Sequence, residues 1–155
     1  MTDESLKDNS EKELQFSCFY LEDTLYGLDI ELIQEVNDDL NLTNVPLSRE
    51  SIAGIMNLRG QIITVIDLRK QLGLPTIGLT KRSRVIIIKS QNEFIGLLID
   101  RIAEVITCQK KEISKPPSNI NGIQGRCFEG VFHTRNNELL AVLDLDMVLE
   151  EEPVV

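Results

Sequence analysis

The residues able to do chemistry are few and scattered. His133 is the only histidine, and the nearest cysteine in the chain is Cys127. Nucleophilic catalysis needs a base held against its nucleophile, and a metal needs three or four ligands; the spacing of these residues supplies neither pattern. Cys18, Cys108 and Cys127 are odd in number and form no Cys-x-x-Cys pair, which fits free thiols in a reducing, cytoplasmic setting. Asp67 and Asp144 sit in matching contexts, V-I-D-L and V-L-D-L. Paired carboxylates can exchange protons, but an aspartate closing a β-branched run ahead of a helix-like stretch is accounted for more simply as an N-cap. Asp29, Glu31 and Asp100 read as solvated strand faces. Lys81-Arg82-Ser83-Arg84 is the one basic cluster and reads as a loop entering a strand, since no phosphate-cradling glycine motif accompanies it. That leaves Leu58-Arg59, an apolar side chain beside a cation at a turn glycine, Gly60. Either a partner covers this tip, which is what makes a desolvated leucine and arginine favourable, or Leu58 folds back onto the core and Arg59 is solvated.

The elements that must position these residues are mostly strands. Gln15–Leu21, Leu25–Ile30, Gln61–Leu68, Arg84–Lys89, Phe94–Ile99 and Glu138–Leu145 are short β-branched or aromatic runs bounded by turn residues. Short helices are expected at Ser48–Gly54 and Leu68–Leu72. The segments 74–84 and 115–125, rich in proline and glycine, read as loops.

An internal repeat organises these pieces. With residues 15–36 laid over 84–105, Gly27, Leu28, Ile30, Ile33, Glu35 and Val36 fall on Gly96, Leu97, Ile99, Ile102, Glu104 and Val105, all identical. Further on, Gly54-Ile55-Met56-Asn57 lies over Gly130-Val131-Phe132-His133, and Val65-Ile66-Asp67-Leu68 over Val142-Leu143-Asp144-Leu145. Two copies of a unit of roughly 60 residues, each marginal alone, must share a core. Short strands separated by turns favour two small closed sheets, because closure removes exposed edges. The copies differ most between their matched blocks: Leu58-Arg59-Gly60 in one, Thr134-Arg135-Asn136-Asn137 in the other.

Charge and length bound the function. The chain has 155 residues and a formal charge of −9. That balance argues against non-specific nucleic-acid binding and against attraction to an anionic membrane. No apolar run is long enough to insert in a bilayer. Much of the acidity lies at the ends: residues 1–13 carry five acids against two lysines, and Glu150, Glu151 and Glu152 close the chain. Segments 1–13 and 151–155 therefore read as disordered acidic tails around a domain spanning 14–150.

One group of residues carries a family resemblance. Leu25-Tyr26-Gly27-Leu28-Asp29-Ile30, Val36, Val45-Pro46, Gly54-Ile55-Met56-Asn57-Leu58-Arg59-Gly60 and Val65-Ile66-Asp67-Leu68-Arg69 resemble, in order and spacing, the bacterial chemotaxis coupling proteins of the CheW family. The likeness runs from about Leu14 to Glu150. It implies an all-β fold with a few short helices: two SH3-like five-stranded β-barrels on a shared apolar core, divided at about 14–68 and 69–150, with strands open to exchange between them. It also implies a scaffold with no catalytic centre, metal or cofactor, which links methyl-accepting chemoreceptors to the regulatory domain of the histidine kinase CheA. Carried over by motif, the receptor-binding residues are Ile33, Glu35, Gly54, Asn57, Leu58, Arg59 and Gly60. Arg84, Gly96 and Asp100 are the kinase-binding candidates. The length leaves no room for an added receiver domain of about 100 residues, so a free-standing coupler is expected. Its output is flagellar chemotaxis or, alternatively, a pilus or other chemosensory-like pathway.

Overall fold

The computed structural model describes residues 11–150, so the N-terminal tail up to Ser10 and the segment 151–155 lie outside the described residues. Glu13 already belongs to the first strand, and the Lys12 carbonyl accepts the Lys110 N–H at 2.8 Å.

The described residues form twelve strands and two short helices: β1 (Glu13–Leu21), β2 (Thr24–Asp29), β3 (Ile33–Asn37), β4 (Ile52–Leu58), β5 (Gln61–Asp67), α1 (Leu68–Gln71), β6 (Arg84–Ser90), β7 (Glu93–Ile99), β8 (Arg101–Gln109), β9 (Asn119–Ile120), β10 (Ile123–Gln124), β11 (Phe128–His133), β12 (Leu139–Leu143) and α2 (Leu145–Glu150). The main sheets have five strands each, ordered β11-β12-β2-β1-β8 and β4-β5-β7-β6-β3. Under the repeat, β1, β2 and β8 correspond to β6, β7 and β3, and β11 and β12 to β4 and β5. The two orders are therefore the same order. The sheets do not divide the chain at 68/69. Each copy's leading hairpin, β1–β2 or β6–β7, lies in the sheet that holds the other copy's later strands, joined there by a parallel pairing, β12 with β2 and β5 with β7.

In each sheet the segment beyond one edge strand reaches back to the other edge strand. The arm after β3 reaches β4 through a bridge at Thr43 and Ile55, and the arm after β8 reaches β11 through Ser114 and Val131. Both contacts depend on a missing side chain. A Cβ on Gly54, whose φ is +151°, would stand 2.7 Å from the Thr43 carbonyl oxygen; one on Gly130 would stand 2.7 Å from that of Ser114. The register slips at both glycines, as at a bulge that turns a strand.

Alternation of side chains then builds three apolar clusters. In β6, Val85 and Ile87 point into the second sheet's own interior with Met56, Leu58, Ile63 and Val65. Ile86 and Ile88 point the other way, into a core shared with Phe19, Tyr26 and Leu28 of the first sheet. In β2, Leu25 faces the first sheet's interior with Phe16, Cys18 and Cys108. The leading hairpins are thus buried on both faces, which is why they read as near-continuous apolar runs.

Three local expectations change. Ser48–Gly54 forms no helix: the Ser48 hydroxyl donates to the Val45 carbonyl at 2.7 Å, and Ile52 already begins β4. The strands β3, β4, β8 and β11, absent from the list of apolar runs, are present. Within 115–125, β9 and β10 form a two-residue hairpin across Asn121-Gly122, both at positive φ, as a type I′ turn requires. The helix expected at Leu68–Leu72 is there as α1. Asp67 caps it by accepting the Arg69 N–H at 3.0 Å, and Asp144 likewise accepts the Met147 N–H at 3.2 Å in α2.

Candidate functional site

The β4–β5 hairpin closes through Leu58 opposite Gln61, leaving Arg59 and Gly60 as a two-residue turn with φ of +50° and +86°. The Asn57 side-chain carbonyl accepts the Gly60 N–H at 2.9 Å and fixes the turn. This places Arg59 at the tip of one edge of the second sheet. Its guanidinium meets Glu35 of β3, the opposite edge strand: Nη2 donates to Oε1 at 2.6 Å and Nη1 to Oε2 at 3.5 Å. The pair links the sheet's two edges. The bond from Glu35 and its charge raise the arginine's pKa above the ordinary value. The Arg59 side chain nevertheless keeps 71% of its exposure, against 29% for Glu35.

Leu58 is not the exposed anchor of this tip. It is 8% exposed and packs with Met56, Ile63 and Val65. The pleat sends Met56 and Leu58 inward and turns Asn57 outward, opposite Ile62, which is 65% exposed. The apolar residue presented beside Arg59 is therefore Ile62, which sequence reasoning missed. The same period-two alternation that buries Leu58 could have found it.

Of the expected receptor-facing residues, Glu35, Asn57, Arg59 and Gly60 gather at the tip. Ile33 is half-buried against the shared core, and Gly54 serves the closing arm. The three kinase-side candidates all have internal roles. Gly96 is buried where a Cβ would stand 2.7 Å from Val85 Cγ1. The Arg84 guanidinium donates to the carbonyls of Lys81 and Ser83, at 3.0 and 2.7 Å, and so folds the basic loop. Asp100 is held by Arg69. Burial raises the Asp100 carboxyl pKa, but the Arg69 hydrogen bonds, the Glu22 N–H and nearby positive charge outweigh it and hold the group below its usual range.

All three cysteines are buried. Burial pushes Cys18 up to about 12 and raises Cys108 as well. Among the described residues, no three His, Cys, Asp or Glu side chains come together as metal ligands would. An open cleft of about 540 Å³ brings Lys115 and Arg126 beside Phe128, and no histidine, cysteine or carboxylate lines it. Among the described residues no helix is long and apolar enough to cross a membrane.

Two sheets related by an internal repeat, with an ion-paired hairpin tip in place of a reactive pocket, define a paired-sheet β module whose exposed chemistry suits contact. The CheW-like domain family matches residues 15–152. The crystal structure of the scaffolding protein TtCheW from Thermoanaerobacter tengcongensis superposes with a TM-score of 0.81 at 35% identity, covering 92% of each chain. The chemotaxis protein CheW of Bacillus subtilis is 32% identical over 127 residues, covering 82% of this chain and 81% of that one. Its namesake from Thermotoga maritima is 29% identical over 140 residues, 90% of both chains. The chain belongs to the CheW family.

Proposed function

We propose that the protein is a cytoplasmic, non-catalytic adaptor in chemotaxis-type signalling. It couples the cytoplasmic tips of chemoreceptors to the histidine kinase CheA through the kinase's regulatory domain. Family membership supports the coupling role, and the observation that carries the receptor side is the Arg59–Glu35 pair at the β4–β5 tip. There an exposed cation on a two-residue turn meets a carboxylate of the opposite edge strand, with the exposed aliphatic Ile62 on the same hairpin, a combination that suits a protein surface more than a small substrate.

Each contact of such an adaptor is modest. A micromolar contact is worth about −8 kcal/mol, and an array gains because every further contact forms at high effective concentration. Titration of the purified protein with a receptor-tip fragment, and separately with the kinase regulatory domain, tests the reading. Arg59→Glu is expected to lower receptor-tip affinity at least about tenfold, or roughly 1.4 kcal/mol, while kinase binding and the unfolding midpoint stay unchanged. Unchanged receptor affinity in a folded Arg59→Glu protein would overturn the receptor-site assignment. Failure of the wild-type protein to bind either partner would overturn the coupling role.

A further inference from the structure

The chain passes between the two sheets twice, once from β2 to β3 through a short 3-10 turn at Ile30–Leu32 and once from β7 to β8 at Asp100. The repeat makes these crossings equivalent, with Glu31 falling on Asp100, yet they are braced differently. At Asp100, Arg69 is buried, 4% exposed. Its Nε donates to Asp100 Oδ1 at 2.9 Å and its Nη2 to Oδ2. Its Nη1 donates to the Pro75 carbonyl at 2.8 Å and lies 3.4 Å from the Glu22 carboxylate. Asp100 Oδ2 also accepts the Glu22 N–H at 2.7 Å. Three pieces are tied together: α1, which continues the second sheet; the crossing itself; and the β1–β2 turn of the first sheet.

At the other crossing the repeat puts Asp146 where Arg69 would be and Gln91 where Glu22 would be. None of these positions carries a cation. Asp29 accepts the Glu31 N–H at 3.0 Å, a bond internal to the crossing that ties it to neither neighbouring element.

We propose that Arg69 makes the Asp100 crossing the fixed pivot of the two sheets and leaves the Ile30–Leu32 crossing as the compliant one. Turning one sheet against the other about Asp100 has to separate a two-pronged guanidinium–carboxylate pair and strand a buried charge. The same turn at Ile30–Leu32 breaks no ion pair between elements. Small movement is concentrated at few backbone positions in such hinges, and here the ionic hub selects which of two equivalent positions that is. Arg69 is thus a positioning residue, acting through Asp100 on the orientation of both docking faces. The inference stands apart from the identity of the partners.

Residual dipolar couplings on the isotopically labelled full chain report the orientation of each sheet in solution and need no partner. In the wild-type protein one alignment tensor is expected to fit the amides of both sheets. In Arg69→Met and Asp100→Asn each sheet should still fit a tensor of its own while the common fit is lost. Glu31→Gln and Asp146→Asn should keep the common fit. Should Arg69→Met fail to fold, Arg69→Lys retains the charge without the planar fork and is expected to lose the common fit in the same way. A common tensor surviving in the folded Arg69 and Asp100 variants, with only a lower thermal midpoint, would reduce the hub to local stabilisation and overturn the proposal. Equal loss of the fit in Glu31→Gln would overturn it too.

Discussion

The β4–β5 tip of the second sheet and the β11–β12 tip of the first begin from one pattern and finish differently. The first is a two-residue turn whose arginine reaches Glu35 on the opposite edge strand and stays open to solvent. The second is longer and closes on itself. The Thr134 N–H donates to the Glu138 carbonyl at 2.8 Å, and the Glu138 N–H to the Thr134 hydroxyl at 3.1 Å. The Glu138 carboxylate accepts the Tyr20 hydroxyl at 2.7 Å, and the Arg101 guanidinium lies 3.7 Å from the centre of the Tyr20 ring. One tip pairs its arginine with the opposite edge strand in the open, and the other ties its glutamate to Tyr20 and leaves Arg135 exposed. The two copies share a frame and differ at their tips. The same division recurs at the crossings, where one copy has an ionic hub and its mate has none.

The crossings give the largest contrast. Asp100→Ala leaves the Arg69 guanidinium buried without its carboxylate and is expected to cost about 4 kcal/mol, whereas Glu31→Ala at the equivalent place stays within about 0.5 kcal/mol; urea unfolding of both variants measures the gap, and similar losses would erase the distinction. Acid sharpens it. The folded-state pKa of Asp100 is depressed, so its stabilisation is fully present above the unfolded carboxyl value of about 3.9 and fades as pH falls through the lower folded value. The difference in stability between wild type and Asp100→Ala should therefore be flat at neutral pH and shrink below about pH 4.

Next in size is the tip itself. Leu58→Ala removes a core side chain from the second sheet's interior and is expected to cost about 3 kcal/mol. Its repeat mate Thr134 contributes one hydrogen bond, so Thr134→Ala should cost about 1 kcal/mol. A Leu58→Ala protein of undiminished stability would return Leu58 to the surface. The two packing glycines differ by less. A Cβ on Gly96 meets Val85 and Val65 at 2.7 and 3.0 Å, while one on Gly27 meets Leu140 and Phe16 at 3.0 and 3.3 Å. Gly96→Ala is expected to cost about 2 kcal/mol and Gly27→Ala about 1 kcal/mol, read from the same unfolding curves.

Much of this frame was legible in the residues. The strands buried on both faces announced themselves as unbroken β-branched runs, and the repeat foretold paired units with a common core. The edge strands did not. In β3, Ile33-Gln34-Glu35-Val36 is half solvated and carries only two apolar side chains, too few for a run. The resemblance left strand exchange open, but the runs alone could not show which hairpins exchange, because a hairpin buried on both faces reads the same whichever sheet it joins. At the site, Arg59 and Glu35 came from the motif, but their pairing joins residues 24 apart on opposite edges of a sheet and has no local signature. Asp100 read as a solvated face because its partner, Arg69, lies 31 residues away in the short helix after β5.

The smallest expected effect on folding separates docking from packing. Ile62 and Leu139 are repeat mates, 65% and 38% exposed, each opposite a polar outward residue, Asn57 or His133. Neither supports a core, so Ile62→Ser and Leu139→Ser should each change stability by no more than about 0.5 kcal/mol. Their surroundings differ: Ile62 is on the hairpin that carries the Arg59–Glu35 pair, Leu139 on the one whose Glu138 is bonded to Tyr20. An aliphatic side chain ringed by charges that a partner can complete is where binding energy concentrates. Ile62→Ser is therefore expected to weaken receptor-tip binding about tenfold and Leu139→Ser to leave it unchanged, both measured by calorimetric titration. Equal losses would mean that the two copies share the receptor, and that the divergence of their tips serves something other than a choice of partner.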